Sequence, residues 1–271
     1  SLAQTEALTD LPFKILIIRN TANCGFAKAC NQGAKQSKCK YLLFLNPDAA
    51  LNAETLTRVL TFMQSATNSK VGICGVQLLD EAGQPGTAAA RFPTLGVLLG
   101  KITGLSLMLP RWIPSHLMKP LELIESCTVD QIIGAFFLIR RHVFEECNGF
   151  DETFFVYYEE VDLALRAKLL GYNSYYLASA NAFHSGGGTT HRVKALRLFY
   201  SLRSRIVYAK KHFKNWEFWT LVIITVSIEL CLRLLLEASK YSLSGLKETC
   251  KGYFILVKYY SSNMKGVNVP R

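Results

Sequence analysis

Three places in this 271-residue sequence hold side chains whose types and positions could do chemistry. Asp48 follows Asn46-Pro47, directly after the apolar run Tyr41–Leu45. In open α/β sheets, ligands sit beyond the carboxyl ends of the strands. A carboxylate there can hold a hard divalent cation, which in turn binds phosphate oxygens. The same residue could equally be a helix N-cap or a turn aspartate in Asn-Pro-Asp. Glu159, Glu160 and Asp162 follow the aromatic run Phe154, Phe155, Tyr157 and Tyr158. Carboxylates this close repel one another, and one held among aromatics can have a raised pKa and serve as a general base. The alternative is a solvated helix N-terminus, where acids favour the dipole. His184 precedes Ser185-Gly186-Gly187-Gly188. A neutral imidazole at such a loop can ligate a metal, or be an ordinary loop histidine.

Each of the three lies at the end of an apolar segment. Phe13 to Ile18 reads as a buried strand, Gly25–Gln36 as a helix packed through Phe26, Ala27 and Ala34, and Tyr41–Leu45 as a second strand. Ala53–Gln64 has Leu56, Val59, Leu60 and Met63 at helical spacing, and Val71–Leu79 reads as a third strand. That alternation implies a parallel α/β sheet. Residues 80–127 are less regular: Gly96–Leu109 is apolar and glycine-punctuated, and Pro110, Pro114 and Pro120 break the chain. Val129–Ile139 returns to strand character, Phe154–Leu170 is helical in its second half, and Tyr172–Leu177 is a short strand. A glycine-rich loop spans Ser185–Thr190. Beyond it, Ala195, Leu198, Leu202, Ile206, Ala209 and Phe213 form one apolar stripe of a helix over 193–213, with Arg197, Arg203, Arg205, Lys210, Lys211 and Lys214 mostly away from it.

Charge divides the chain in two. Residues 1–191 hold 16 Lys/Arg and 16 Asp/Glu; residues 192–271 hold 15 and 4, which accounts for the whole net charge of +11. A body over 1–191 thus carries a basic, amphipathic helical region over 192–271. That distribution argues against a nucleic-acid binder and points to a local surface that meets anions, such as an anionic membrane. Segment 216–236 is strongly apolar but contains Glu229 and Arg233. It reads as interfacial or packed, with a single transmembrane span as the alternative. The eight cysteines form no C-x-x-C pair and read as buried thiols in a reducing compartment. Ser1–Asp10 carries no signal-peptide pattern.

An ordered set of motifs resembles the family 2 glycosyltransferases, and within them the bacterial rhamnosyltransferase-like members. It begins with Asn23-x-Gly25-Phe26-x-x-x-x-Asn31-x-Gly33 and Tyr41-Leu-Leu-Phe-Leu-Asn46-Pro47-Asp48. It continues through Arg91-Phe92-Pro93-Thr94 and Gly134-Ala135-Phe-Phe-Leu-Ile-Arg140-Arg141. It closes with Gly149-Phe150-Asp151-Glu152, Phe154-Phe155-x-Tyr157-x-Glu159-Glu160-Val161-Asp162-Leu163-x-x-Arg166, Gly171-Tyr172 and His184.

The resemblance implies a GT-A α/β fold with a mixed central sheet and a metal-assisted, inverting transfer. The donor would be a nucleotide-sugar, dTDP-rhamnose or a UDP-hexose, and the acceptor a glycan or lipid-linked glycan. By position, Asp48 would hold Mg²⁺ or Mn²⁺ on the donor diphosphate, with Asn46 in place of the family's first acid, and His184 would complete the metal site. Asn23, Gly25 and Asn31 would flank the donor. Glu160 would be the general base, with Gly134, Glu159, Asp162 and Arg166 on the acceptor side. Placement would be cytoplasmic, at the inner face of the plasma membrane. Two departures stand out. Glu160 replaces the usual Asp, one methylene longer, and the first strand-like segment already matches a later strand of relatives, so the first two strands are expected to be missing. The rival readings are an impaired homologue acting as a membrane-associated carbohydrate-binding module, and a nucleotidyltransferase.

Overall fold

The computed structural model describes residues 15–185 and 194–265. In chain order the first half runs α1 (Phe26–Gln36), β1 (Tyr41–Leu45), β2 (Ala49–Ala50), α2 (Ala53–Gln64), β3 (Val71–Leu79), β4 (Ala89–Ala90), α3 (Leu95–Thr103) and α4 (Leu105–Met108). Then come β5 (Cys127–Val129), β6 (Gln131–Ile132), β7 (Phe136–Arg140), α5 (Arg141–Glu146), α6 (Glu159–Leu169) and β8 (Asn173–His184). The last part is helical: α7 (Lys194–His212), α8 (Asn215–Ile224), a π-helical turn over Thr225–Glu229, α9 (Leu230–Ser239) and α10 (Leu243–Lys265).

A mixed α/β sheet forms the core. Its order is β1-β7-β3-β8-β2, with β5 also paired to β8. β7 is antiparallel to both β1 and β3, whereas β3 and β8 run parallel. β1 and β3 are therefore parallel to each other, as the strand–helix alternation predicts, but they are not neighbours. β7, from much later in the chain, sits between them, so the sheet is mixed, as the resemblance implies, where the strand–helix alternation alone suggested a parallel one. Ile73, Leu138 and Ile139 are fully buried at this centre, each worth about 1.5–3 kcal/mol of transfer free energy. α2 starts where Asn52 caps it, accepting from the Thr55 N–H at 2.8 Å. Its Val59 and Met63 then point into the core.

Two strand readings shift. Val129–Ile139 is broken, because the chain turns at Ile133–Ala135 between β6 and β7. Phe13 lies outside the described residues, and Ile15–Ile18 forms no strand; all four of its side chains are exposed. An apolar run is buried only when a partner covers it, and no described strand pairs with this one.

The helical part packs as a layer around α7. Phe199, Leu202 and Ile206 of α7 meet Tyr253 and Leu256 of α10. Ala209 of α7 meets Leu221 of α8 and Leu98 of α3. Arg205, expected away from the apolar stripe, is buried instead. It donates from Nη1 to Glu229 Oε1 at 3.3 Å, from Nη2 to Glu229 Oε2, and to Thr225 Oγ1 at 2.9 Å. Arg233 donates to the same Glu229 from Nη2 at 2.8 Å. The two charges that interrupt the apolar segment thus belong to one ion-paired cluster, in which Glu229 is buried and Arg233 reaches the surface.

Candidate active site

Asp48 and His184 are brought together by strand pairing. β2 pairs with β8 in the register Ala49↔His184, and the Ser185 N–H donates to the Asp48 carbonyl at 3.1 Å. Asp48 Oδ1 and His184 Nε2 end 3.4 Å apart, longer than a good hydrogen bond. Asp48 caps no helix, since α2 begins five residues later under Asn52. A carboxylate oxygen and an imidazole nitrogen side by side suit a divalent cation that also takes phosphate and water oxygens. Among the described residues no group of three or more His, Cys, Asp or Glu could enclose a metal unaided. A groove of about 370 Å³ is lined by residues adjoining this pair in sequence, among them Ala50, Leu51, Asn52 and Phe183, but not by Asp48 or His184 themselves. The glycine-rich loop after Ser185 lies outside the described residues.

The acid pair is positioned by strained backbone. Tyr157 and Tyr158 both have positive φ, 69° and 72°, rare for aromatic residues and costing about 1–3 kcal/mol each. α7 holds them there. Phe155 stacks on Tyr200 at 4.8 Å, Ser204 Oγ donates to the Val156 carbonyl at 2.8 Å, and Tyr158 packs on Tyr208. α6 then opens with Glu159 and Glu160 in its first turn. The site is not a solvated helix end: Glu159 is 5% exposed and its Oε2 has no partner among the described residues. Burial pushes the Glu160 carboxyl up. Burial, and then the neighbouring Glu160, hold Glu159 well above the usual carboxylate range.

Glu160 faces Gly134 in the turn between β6 and β7. A Cβ at Gly134 would stand 3.8 Å from Glu160 Oε1, so the glycine keeps that side of the half-buried carboxylate free of a side chain. The next residue, Ala135, accepts from the Asn46 N–H at 3.1 Å, tying this turn to the segment that ends in Asp48. Asn46, Asp48, Gly134, Glu160 and His184 are thus held to one connected region of the sheet.

Other expected site residues are engaged in structure. Asn31 donates to the Phe150 carbonyl at 2.9 Å and accepts from its N–H at 3.0 Å, so its amide holds α1 against the 149–152 loop. Gly25 has φ 86°, and a Cβ there would stand 2.5 Å from the Phe155 carbonyl oxygen. Its neighbour Phe26 donates to that carbonyl at 2.8 Å. Asn23 Oδ1 accepts from the Gly25 N–H at 3.0 Å. Asp162 is fully buried, ion-paired to Arg166 and Lys211 and hydrogen-bonded to His212. Burial alone would raise its pKa, but His212, Arg166 and Lys211 outweigh that and lower it to about 2. Arg166 also donates to the Gly149 carbonyl at 2.9 Å. Asp162 and Arg166 therefore brace the acid loop. The sequence signal for α7's share in this was its apolar stripe, which shows that a helix packs but not on what.

The fold and site define an α/β protein with an acid–histidine pair and a separate buried carboxylate pair at one region of a mixed sheet. The chain belongs to glycosyl transferase family 2, whose family model matches residues 1–147. It is 33% identical over 146 residues to the rhamnosyltransferase WbbL of Escherichia coli, covering 53% of this chain and 52% of that one. It is 28% identical over 178 residues to the N-acetylglucosaminyl-diphospho-decaprenol L-rhamnosyltransferase of Mycobacterium tuberculosis, covering 65% of this chain and 57% of that one. The chain thus spans about half the length of these relatives. Among solved structures, the mannosyltransferase PcManGT of Pyrobaculum calidifontis, in complex with GDP-Man and Mn²⁺, matches with a TM-score of 0.49 at 12% identity, over 99% of this chain and 63% of that one.

Proposed function

We propose that the protein is a GT-A-type glycosyltransferase that moves a hexose or deoxyhexose from a nucleotide-sugar to a glycan or lipid-linked acceptor with inversion. The reading rests on one observation above all: Asp48 and His184 meet at 3.4 Å while half-buried Glu160 faces Gly134, which carries no side chain. The names of the relatives support rhamnose as the sugar and dTDP-rhamnose as the first donor to test, ahead of a UDP-hexose.

Glu160 takes the proton from the acceptor hydroxyl, and its raised pKa gives it more affinity for that proton than a solvated carboxylate has. The hydroxyl oxygen bonds to the anomeric carbon from the face opposite the diphosphate, and the bond from that carbon to the diphosphate oxygen breaks. Asp48 and His184 would hold a divalent cation, Mg²⁺ or Mn²⁺, which when bound neutralises charge on the leaving diphosphate. Gly134 leaves room for the acceptor over Glu160. The excess of 15 basic over 4 acidic residues in 192–271 supports placement at an anionic, cytoplasmic membrane face.

Two measurements test this. Transfer from dTDP-rhamnose should fall about 10²–10⁴-fold in Glu160→Gln, the usual contribution of a general base; equal rates would refute the base assignment. Mn²⁺ should raise the Tm of the unmodified chain but not of Asp48→Asn, and an unchanged shift would remove Asp48 from the metal site.

A further inference from the structure

The chain has three tryptophans, and all three are exposed: Trp112 at 84%, Trp216 at 62% and Trp219 at 60%. Buried cores do not leave indoles in water without cause, and Trp is favoured where one end is apolar and the other wet. Trp112 lies in the turn after α4, and Trp216 and Trp219 lie on α8. α3, which leads into α4 and Trp112, packs on α8 through Leu95, Leu98 and Leu221. Exposed apolar side chains extend both sites, Leu107 and Met108 beside Trp112, and Ile223 and Leu235 beyond Trp219. Each site has an exposed basic neighbour, Arg111 next to Trp112 and Lys214 next to Trp216.

Asn215–Ser239 is long and apolar enough to cross a membrane, with only 17% of its most apolar stretch buried. Its other side tells against crossing. Leu221, Thr225 and Glu229 form a buried stripe at four-residue spacing. That stripe meets Ala209 and then Arg205 of α7, so α8 and α9 run back along α7. After α9 the chain turns and α10 returns to the same helix: Glu248 accepts from the Ala195 N–H at 2.9 Å, and Gly252 packs on Leu198. Both ends of 215–239 are therefore tied to α7. To span a bilayer the segment would leave that helix and carry Glu229 and Arg233 into hydrocarbon.

We propose that the 215–239 helix lies in the plane of a lipid surface rather than across it, with the Leu105–Trp112 segment inserted beside it as a second anchor. The inference rests on the membrane-facing reading above and adds the elements and the topology. The occupant is a bilayer carrying anionic lipid, because exposed Arg111 and Lys214 stand beside the tryptophans in sequence and the helices flanking 215–239 carry the chain's basic excess. An exposed apolar face carrying indoles, with basic residues beside them, suits the boundary between hydrocarbon and head groups.

The test uses the chain and sealed vesicles of phosphatidylcholine with phosphatidylglycerol. Flotation comes first: no binding overturns the membrane reading and this inference together, and self-association of the chain without lipid would name a second copy as the occupant. With binding shown, a membrane-impermeant maleimide is added and the native, exposed Cys39 and Cys250 are mapped by mass spectrometry. Labelling of both supports the in-plane helix; protection of Cys250 alone means that the segment spans, and overturns it. Brominated lipids then read the anchors in single-tryptophan variants. Quenching of Trp112 as well as Trp219 is expected, and Trp112→Ser should weaken vesicle binding about tenfold, roughly 1.4 kcal/mol. An unquenched Trp112 with no loss of binding removes the second anchor.

Discussion

Glu159 and Glu160 are adjacent in sequence but differ in surroundings. Glu159 is buried with one oxygen unpartnered among the described residues, whereas Glu160 is half-buried and faces Gly134. Both carboxyls are pushed up, Glu160 by burial and Glu159 by burial and then by Glu160. A carboxyl whose folded pKa lies above its unfolded value destabilises the fold increasingly as pH rises past the unfolded value. The Tm of Glu159→Gln should therefore exceed that of the unmodified chain by a margin that widens between about pH 5 and pH 8, read by a thermal melt in each buffer. Asp162 behaves oppositely. Its carboxyl is held at about 2, so its contribution is complete above the unfolded value of about 3.9 and is lost as pH falls through the folded value. Asp162→Ala should cost about 3–5 kcal/mol at neutral pH, because it strands Arg166 and Lys211. Urea unfolding of the two chains measures it. The chemistry open to Asp48, Glu160 and His184 is legible in the sequence, from residue type and from position at the end of an apolar segment. The engagement of Asn31, Asp162 and Arg166 in bracing is not, since a motif position does not say which atoms a side chain touches.

At the scale of elements, the acid loop is held from two directions. Gly25 lets the Phe155 carbonyl approach α1, and α7 supplies Ser204, Tyr200 and Tyr208 from the other side. Gly25→Ala places a Cβ 2.5 Å from that carbonyl oxygen at a positive φ. It should cost at least about 1–3 kcal/mol and lower transfer more than donor binding, as comparison of kcat with KM would show. The elements themselves are largely readable. Tyr41–Leu45, Ala53–Gln64 and Val71–Leu79 appear with the expected boundaries, because in each the apolar period, the length and a turn or cap agree. The sheet order is not readable. β7 separates β1 from β3 through contacts between residues nearly a hundred positions apart, such as Leu42↔Ile139, and local periodicity carries no such information.

At the scale of the whole molecule, the basic region is not a loose tail. α7 packs its Phe199, Leu202 and Ile206 on α10, and its Arg205 on Glu229. Glu229→Ala leaves a buried guanidinium unpaired and should cost about 3–5 kcal/mol, seen as a lowered denaturant midpoint; Glu229→Gln should cost less. Composition alone separates a neutral body from a basic region. It does not show that one helix serves both, because Arg205 reads as one more surface charge until its partner 24 residues on is placed beside it.

Ser204, Arg205 and Tyr208 occupy a single turn of α7. Two of them grip the loop that ends in the acid pair, and the third grips the helix with the exposed tryptophans. The distance between those two features is accordingly set by one rigid rod instead of a linker. Seated on a lipid surface as proposed, such a rod would act as a gauge, fixing the height of the acid pair above that surface.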